Sequence, residues 1–240
     1  MKALVLEENG KIESLKVVFD REKPIPKENE IRVKVCAYGL NPSDYQTALY
    51  KGLNDERKRV LGLDVAGGYS IQLAKLCGLT VYTSCAGKDI EYVKNLGADV
   101  AIDYKNEDVY EVISKLTNKR GVDYVVNTIG TESATKDLDI LAINGEIAVI
   151  AGFPDFNRLR FYEKGISIHE IAFGLPFTNG DYKSQCNIAK IGDELAKLLA
   201  EKKILSPRIT EISLEEVPEY LMKMKEGKIT GKIVAKITNM

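Results

Sequence analysis

Asn41-Pro42-Ser43-Asp44-Tyr45 brings an amide, a hydroxyl, a carboxylate and a phenol into five consecutive residues. Asn41 can donate to a carbonyl oxygen that gathers negative charge, and Tyr45 can donate or stack on a flat ring. The same spacing suits a turn that caps a following helix, so Asn41 and Asp44 also have a purely structural reading. A second set of residues could hold an anion. Gly67-Gly68 stands directly before an apolar helical stretch, whose first amides are open to a phosphate. Ser84 and Lys88, a hydroxyl and an ammonium, follow a β-rich run that ends without a carboxylate, and together they attract a phosphate. Lys88 reads equally as a solvated lysine, and Asp89 beside it opposes an anion. Asn127-Thr128-Ile129-Gly130 and Ala151-Gly152-Phe153 each follow an apolar run, although tight bends alone would account for Gly130 and Gly152. His169, the one histidine, sits in the apolar stretch 166–171 and reads as a satisfied structural side chain.

The elements that must position these residues show in the periodicity. Ala3–Leu6 and Ile31–Val35 read as strands on either side of the Lys23-Pro24-Ile25-Pro26 turn. From residue 70 helix and strand alternate. A helix through Ile71 and Leu76 stops near Gly78, and residues 80–83 form a strand. A helix through Val93 and Leu96 ends at Gly97, and residues 100–102 form the next strand. Asn106 is expected to cap a helix with Val109, Val112, Ile113 and Leu116 on one face. Strands at 122–126 and 146–150 flank a helix through Leu138 and Leu141. A long helix carries Ile188, Ile191, Leu195, Leu198 and Leu199, Ser213–Glu216 is a capping box, and residues 232–237 close as a strand. This alternation, with strands apolar on both faces, predicts an α/β protein with a parallel, helix-covered sheet.

Composition narrows the partners. With 34 basic against 35 acidic residues in 240, no block of like charge favours nucleic acid or an anionic membrane. No apolar run approaches a membrane span, and the opening residues do not read as a signal peptide. Cys36, Cys77, Cys85 and Cys186 are scattered, as expected of reduced thiols in a cytoplasmic protein.

Several stretches, taken in order, resemble the zinc-independent medium-chain dehydrogenase/reductases of the quinone oxidoreductase-like branch: K-A-L-V-L-E-E at the start, V-K-V-C-A-Y-G-L-N-P-S-D-Y at 33–45, G-L-D-V-A-G at 62–67, I-Q-L-A-K-L at 71–76, L-G-A-D-V-A-I-D-Y at 96–104, G-V-D-Y-V-V-N-T-I-G at 121–130 and the closing T-G-K-I-V-A-K-I. The resemblance implies a shortened GroES-like β domain (residues 1–67, rejoined by 204–240) and a Rossmann-type doubly wound domain (68–203), with a dinucleotide in the cleft between them. It implies NADPH-dependent reduction of a quinone or an activated carbonyl or enone. Asn41, Asp44 and Tyr45 then lie at the nicotinamide and substrate mouth. Gly67, Gly68, Asn127, Thr128, Gly130, Gly152 and Phe153 line the cofactor, and Tyr104 joins Ser84 and Lys88 at the 2′-phosphate. NADH is the less favoured cofactor, because the second Rossmann strand lacks the terminal carboxylate that holds the ribose hydroxyls. Zinc is not expected: in the zinc-dependent relatives the ligands fall where this chain has Asn41 and Leu63. A homodimer is expected through the edge strand near 166–172.

One departure matters. About ninety residues of a full-length member, including the first Rossmann strand at the topological switch point, have no counterpart between Gly67 and Gly68. An empty slot mid-sheet would leave buried backbone groups unpaired, at about 1–3 kcal/mol each. Either residues 60–65 take that place, with Ala66-Gly67-Gly68 as a makeshift turn, or the molecule carries residues beyond these 240. The competing expectation for function is a catalytically inactive, internally deleted remnant.

Overall fold

The structure, a computed structural model, describes residues 1–28, 31–49, 67–160 and 162–237. In chain order the first elements are β1 (Ala3–Leu6), β2 (Leu15–Val18), β3 (Ala37–Leu40), α1 (Pro42–Leu49), α2 (Gly67–Leu76), β4 (Tyr82–Cys85), α3 (Ile90–Asn95), β5 (Val100–Asp103) and α4 (Val109–Leu116). Then follow β6 (Val122–Asn127), α5 (Thr131–Ile140), β7 (Leu141–Val149), β8 (Ser167–Glu170), α6 (Leu175–Thr178), α7 (Tyr182–Ala200), β9 (Ile209–Ser213), α8 (Val217–Lys225) and β10 (Lys232–Lys236). They form two compact units, Met1–Ala66 with Ser206–Met240, and Gly67–Leu205. No helix among the described residues is long and apolar enough to cross a membrane.

In the first unit β1 pairs with β2 antiparallel, from Ala3↔Val18 to Leu6↔Leu15. β10 lies between β3, antiparallel, and β9, parallel. Alternation along β10 buries Ile233 and Ala235, which pack with Leu40, Ile12, Leu221 and Val217 into one core. Ser213 and Glu216 form half of the expected capping box: Ser213 donates from both its backbone N and its Oγ to Glu216 Oε2, each at 2.8 Å. The strand expected at 31–35 does not form. Ile31, Val33 and Val35 are exposed and without sheet partners among the described residues. Alternation sets which side chains share a face, but a strand also needs a neighbouring ladder. The hydrogen-bonded strand begins only at Ala37.

The second unit holds two parallel groups, β4–β5 and β6–β7–β8. If the strand preceding α2 is counted as the first, these pairings are those of the 3-2-1-4-5-6 order. The segment expected at place one, residues 60–65, lies outside the described residues. Each group has its own small core: Ile71, Val81, Val93 and Leu96 under β4–β5, and Ala134, Leu138, Ile147 and Val149 under β6–β7. Gly78 and Gly97 have φ of 75° and 107°, the left-handed turns that end α2 and α3.

Two local expectations are corrected. Asp108, not Asn106, caps α4: its Oδ1 accepts from Tyr110 N and Glu111 N at 2.9 and 3.1 Å. Asn106 instead donates to Asp103 Oδ2. Leu141 starts β7 rather than ending α5. The apolar stripe of α7 is not buried, and Ile191 is half exposed. His169 is exposed and has a partner, in keeping with its reading as a satisfied side chain. Its Nε2 lies 3.0 Å from Glu146 Oε2 across the β7–β8 pair.

Candidate functional site

β3 runs directly into α1, and the join places Asn41 and Asp44 in the floor of the first unit, 4% and 1% exposed. Asn41 N donates to Asp44 Oδ2 at 2.8 Å, the reach-back half of a capping box, so Asp44 does have the structural role its spacing allows. The Asn41 side chain is turned elsewhere. Lys232 Nζ, at the start of β10, donates to Leu40 O at 2.9 Å and to Asn41 Oδ1. Asn41 Nδ2 has only a long 3.4 Å contact to Gly39 O among the described residues. Tyr45 is half-buried against the unit's core. Nothing in the chain near Asn41 announces Lys232; the two meet because Leu40 and Ile233 are partners in the β3–β10 register.

In the second unit the carboxyl ends of β4 and β5 gather Ser84, Lys88 and Tyr104, all exposed, at one edge. Tyr104 N donates to Cys85 O at 3.2 Å and fixes that edge. A carboxylate the sequence did not nominate, Asp103, lies beneath it. Asp103 Oδ1 accepts from Lys105 N at 3.1 Å and Oδ2 from Asn106 Nδ2 at 2.7 Å. These amides, with the Gly87 amide, hold its carboxyl below the usual range. A Cβ on Gly87 would stand 2.6 Å from Asp103 Oδ2, so only glycine allows the loop before Lys88 to approach this closely. Burial, with the Asp89 and Asp103 carboxylates, pushes the Cys85 thiol up.

The carboxyl ends of β6 and β7 form a second edge. Asn127 is buried; its Oδ1 accepts from Ile129 N and Gly130 N at 3.0 and 3.2 Å and shapes the loop that carries Thr128. Its Nδ2 donates to Ser133 Oγ at 3.0 Å and Asp137 Oδ2 at 2.6 Å. Tyr110 OH, from α4, donates to Asp137 Oδ1 at 3.3 Å and ties α4 to α5. Burial raises the Asp137 carboxyl above its usual value, against the two donors that lower it. Gly130 has φ 145°, open only to glycine without strain. A Cβ on Gly152 would come within 2.7 Å of Thr131 Oγ1, so the loops after β6 and β7 touch there. Phe153 is partly exposed beside Phe156, with ring centroids 5.7 Å apart.

Gly67 and Gly68 are the first described residues of α2; the residues before them lie outside the described ones. A cavity of about 670 Å³ lined by Arg120, Gly121, Leu141 and Lys164 lies at the opposite, amino ends of β6 and β7. Its cations are engaged, Arg120 by Asp123 and Lys164 by the Leu138 and Asp139 carbonyls. Among the described residues no three of His, Cys, Asp and Glu gather as a metal-ligand set; Leu63 lies outside them.

Residues 66–186 match the family model described as zinc-binding dehydrogenase. Trans-enoyl reductase pgmF of Aspergillus terreus is 33% identical over 109 residues, 44% of this chain and 30% of that protein. NAD-dependent alcohol dehydrogenase of Sulfolobus acidocaldarius is 26% identical over 196 residues, 77% of this chain and 52% of that one. The chain thus spans about a third to a half of the length of these curated relatives. In fold it is similar to the quinone oxidoreductase of Pseudomonas syringae pv. Tomato DC3000, with a TM-score of 0.78 at 18% identity over 98% of this chain and 99% of that one.

Proposed function

The chain belongs to the zinc-binding dehydrogenase family, and from that premise we propose that it moves hydride from NADPH to a quinone, or to an activated carbonyl or enone, without zinc. Bound NADPH would supply the hydride. Asn41 Nδ2 donates to the acceptor's oxygen as charge builds there, with Tyr45 beside it and Asp44 holding the turn. Asn127, Thr128, Gly130, Gly152 and Phe153 form the ledge for the dinucleotide, and Gly67-Gly68 offers helix amides to its phosphates. Ser84, Lys88 and Tyr104 take the 2′-phosphate.

The observation that carries this reading is the edge at β4 and β5. A hydroxyl, an ammonium and a phenol are exposed there; of the nearby carboxylates, Asp103 accepts from protein amides, while Asp89 follows Lys88 in the chain and opposes the preference. A ribose-binding carboxylate, the mark of NADH preference, would have to be available. Zinc independence rests on donor chemistry, since the Asn41 amide is a poor ligand for that ion.

A second reading, an inactive remnant that cannot grip a dinucleotide, rests on the shortened stretch at Gly67-Gly68, where most of a glycine loop has no counterpart. Thermal unfolding with added cofactor separates the two. NADPH at about a hundred times its dissociation constant stabilises a binder by about 2.7 kcal/mol, with NADH giving less at equal concentration. A melting temperature unmoved by ~1 mM NADPH would establish the remnant.

Among the described residues β8 ends the β6–β7–β8 order with a sheet neighbour on one side only, and we place a homodimer contact on its other side. Sedimentation should show twice the 26.7 kDa mass of one chain; monomer at all concentrations removes the contact.

A further inference from the structure

We propose that Lys232 is a positioning residue for Asn41, fixing which end of its side-chain amide faces the acceptor; this rests on the donor role given to Asn41 above. The argument is one of hydrogen-bond chemistry. An ammonium has three donors and no acceptor, so only the oxygen of an amide can meet it. Lys232 Nζ is anchored on Leu40 O at 2.9 Å, and the Asn41 atom it reaches is Oδ1. With Oδ1 held there, Nδ2 must point the other way, where its 3.4 Å contact to Gly39 O is too long to engage it strongly. A flipped amide would set Nδ2 against the ammonium and present oxygen, an acceptor, to a carbonyl oxygen.

The environment strengthens the preference. Asn41 is 4% exposed, so water does not compete for the amide, and charge-assisted bonds in such surroundings are the stronger kind. The backbone is pinned as well: Asn41 N is held by Asp44 Oδ2 and Asn41 O accepts from Asp44 N at 3.0 Å. Backbone position and side-chain orientation therefore have separate keepers, Asp44 for the first and Lys232 for the second. Lys232 comes from a strand 191 residues away in the chain, tied to β3 by the Ile233↔Leu40 register.

The test uses the full chain and two readouts. In a 15N-labelled protein the Asn41 Nδ2 signals, identified by their loss in Asn41→Ala, should form a dispersed pair. They should move toward the positions of a free amide in Lys232→Met and return in Lys232→Arg, whose guanidinium is also a pure donor. In NADPH-dependent reduction of p-benzoquinone, Lys232→Met should lower kcat roughly tenfold and leave KM for NADPH within about twofold. In an Asn41→Ala background Lys232→Met should have no further effect, as coupled residues require. Unchanged Asn41 amide signals in Lys232→Met overturn the proposal, and so does an equal loss in both backgrounds. If Asn41→Ala turns over like the wild type while the amide signals respond to Lys232, the donor role of Asn41 fails and the orientation by Lys232 stands. A protein without turnover leaves the amide spectrum to decide.

Discussion

Asn41→Asp is expected to lower kcat for NADPH-dependent reduction by about a hundredfold to a thousandfold, the usual effect of losing one preorganised donor to a developing oxyanion. The substitution nearly preserves shape. Aspartate keeps an oxygen for Lys232 Nζ and leaves the backbone bond from residue 41 to Asp44 in place. What changes is the face toward the acceptor, where an N–H becomes a carboxylate oxygen that repels the charge forming there. Cofactor binding should be spared, because the residues proposed to hold the phosphates belong to the other compact unit. The expected pattern is therefore a large fall in kcat, KM for NADPH within about twofold, and unaltered stabilisation by NADPH. Undiminished kcat would remove Asn41 from the chemistry. A parallel loss of cofactor-induced stabilisation would show that the substitution had disturbed more than the donor.

The contrast between what sequence patterning reveals and what it hides follows from the range of the interactions. α4 is legible because Val109, Val112, Ile113 and Leu116 recur at helical spacing. The ends of α2 and α3 are legible because Gly78 and Gly97 supply left-handed turns that other residues resist. Local chemistry becomes ambiguous once two residues can do the same job. Asn106 and Asp108 are both good caps, and the choice falls to Asp108 because Asn106 is drawn to Asp103, a contact set by the end of β5. Ile31–Val35 has the alternation of a strand, but alternation cannot supply a hydrogen-bonding neighbour.

The candidate site divides in the same way. Asn41, Ser84, Lys88 and Asn127 are visible because their chemistry and their place after apolar runs coincide. Lys232 and Asp137 are not, since each acts through partners that only the fold brings near, and Asp103 is hidden because it ends β5 beneath the loop at Gly87. Asp103 bears on the proposed cofactor preference through its hydrogen bonds. Its carboxylate stays ionised, but with Lys105 N and Asn106 Nδ2 on its oxygens it has fewer lone pairs left for ribose hydroxyls.

Asp137→Leu should be the most destabilising single change in the second unit. Leucine shares the branching of the carboxylate but is bulkier and offers no acceptor, so Asn127 Nδ2 keeps only Ser133 Oγ and the Tyr110 OH loses its bond to residue 137. Two donors each losing an acceptor, at about 1–3 kcal/mol apiece, give a loss of about 2–6 kcal/mol. At about 2–4 °C per kcal/mol for a chain of this size, melting falls by roughly 4–24 °C. Asp137→Asn separates the role of the charge from that of the acceptor. The wild-type carboxyl titrates above its ordinary value of 3.8, chiefly because it is buried. Below that value both the native and the unfolded chain hold the proton. As pH rises past it the unfolded chain releases the proton first, so the unfolded state gains and stability falls until the native group has also ionised. Asparagine keeps one oxygen for Asn127 Nδ2 and has no proton to release, so this decline should vanish. Urea midpoints measured from pH 4 to 7 should therefore diverge, with the asparagine variant gaining on the wild type as pH climbs. Parallel curves would mean that the wild-type side chain is ionised throughout, and that Asn127 and Tyr110, rather than burial, set its charge.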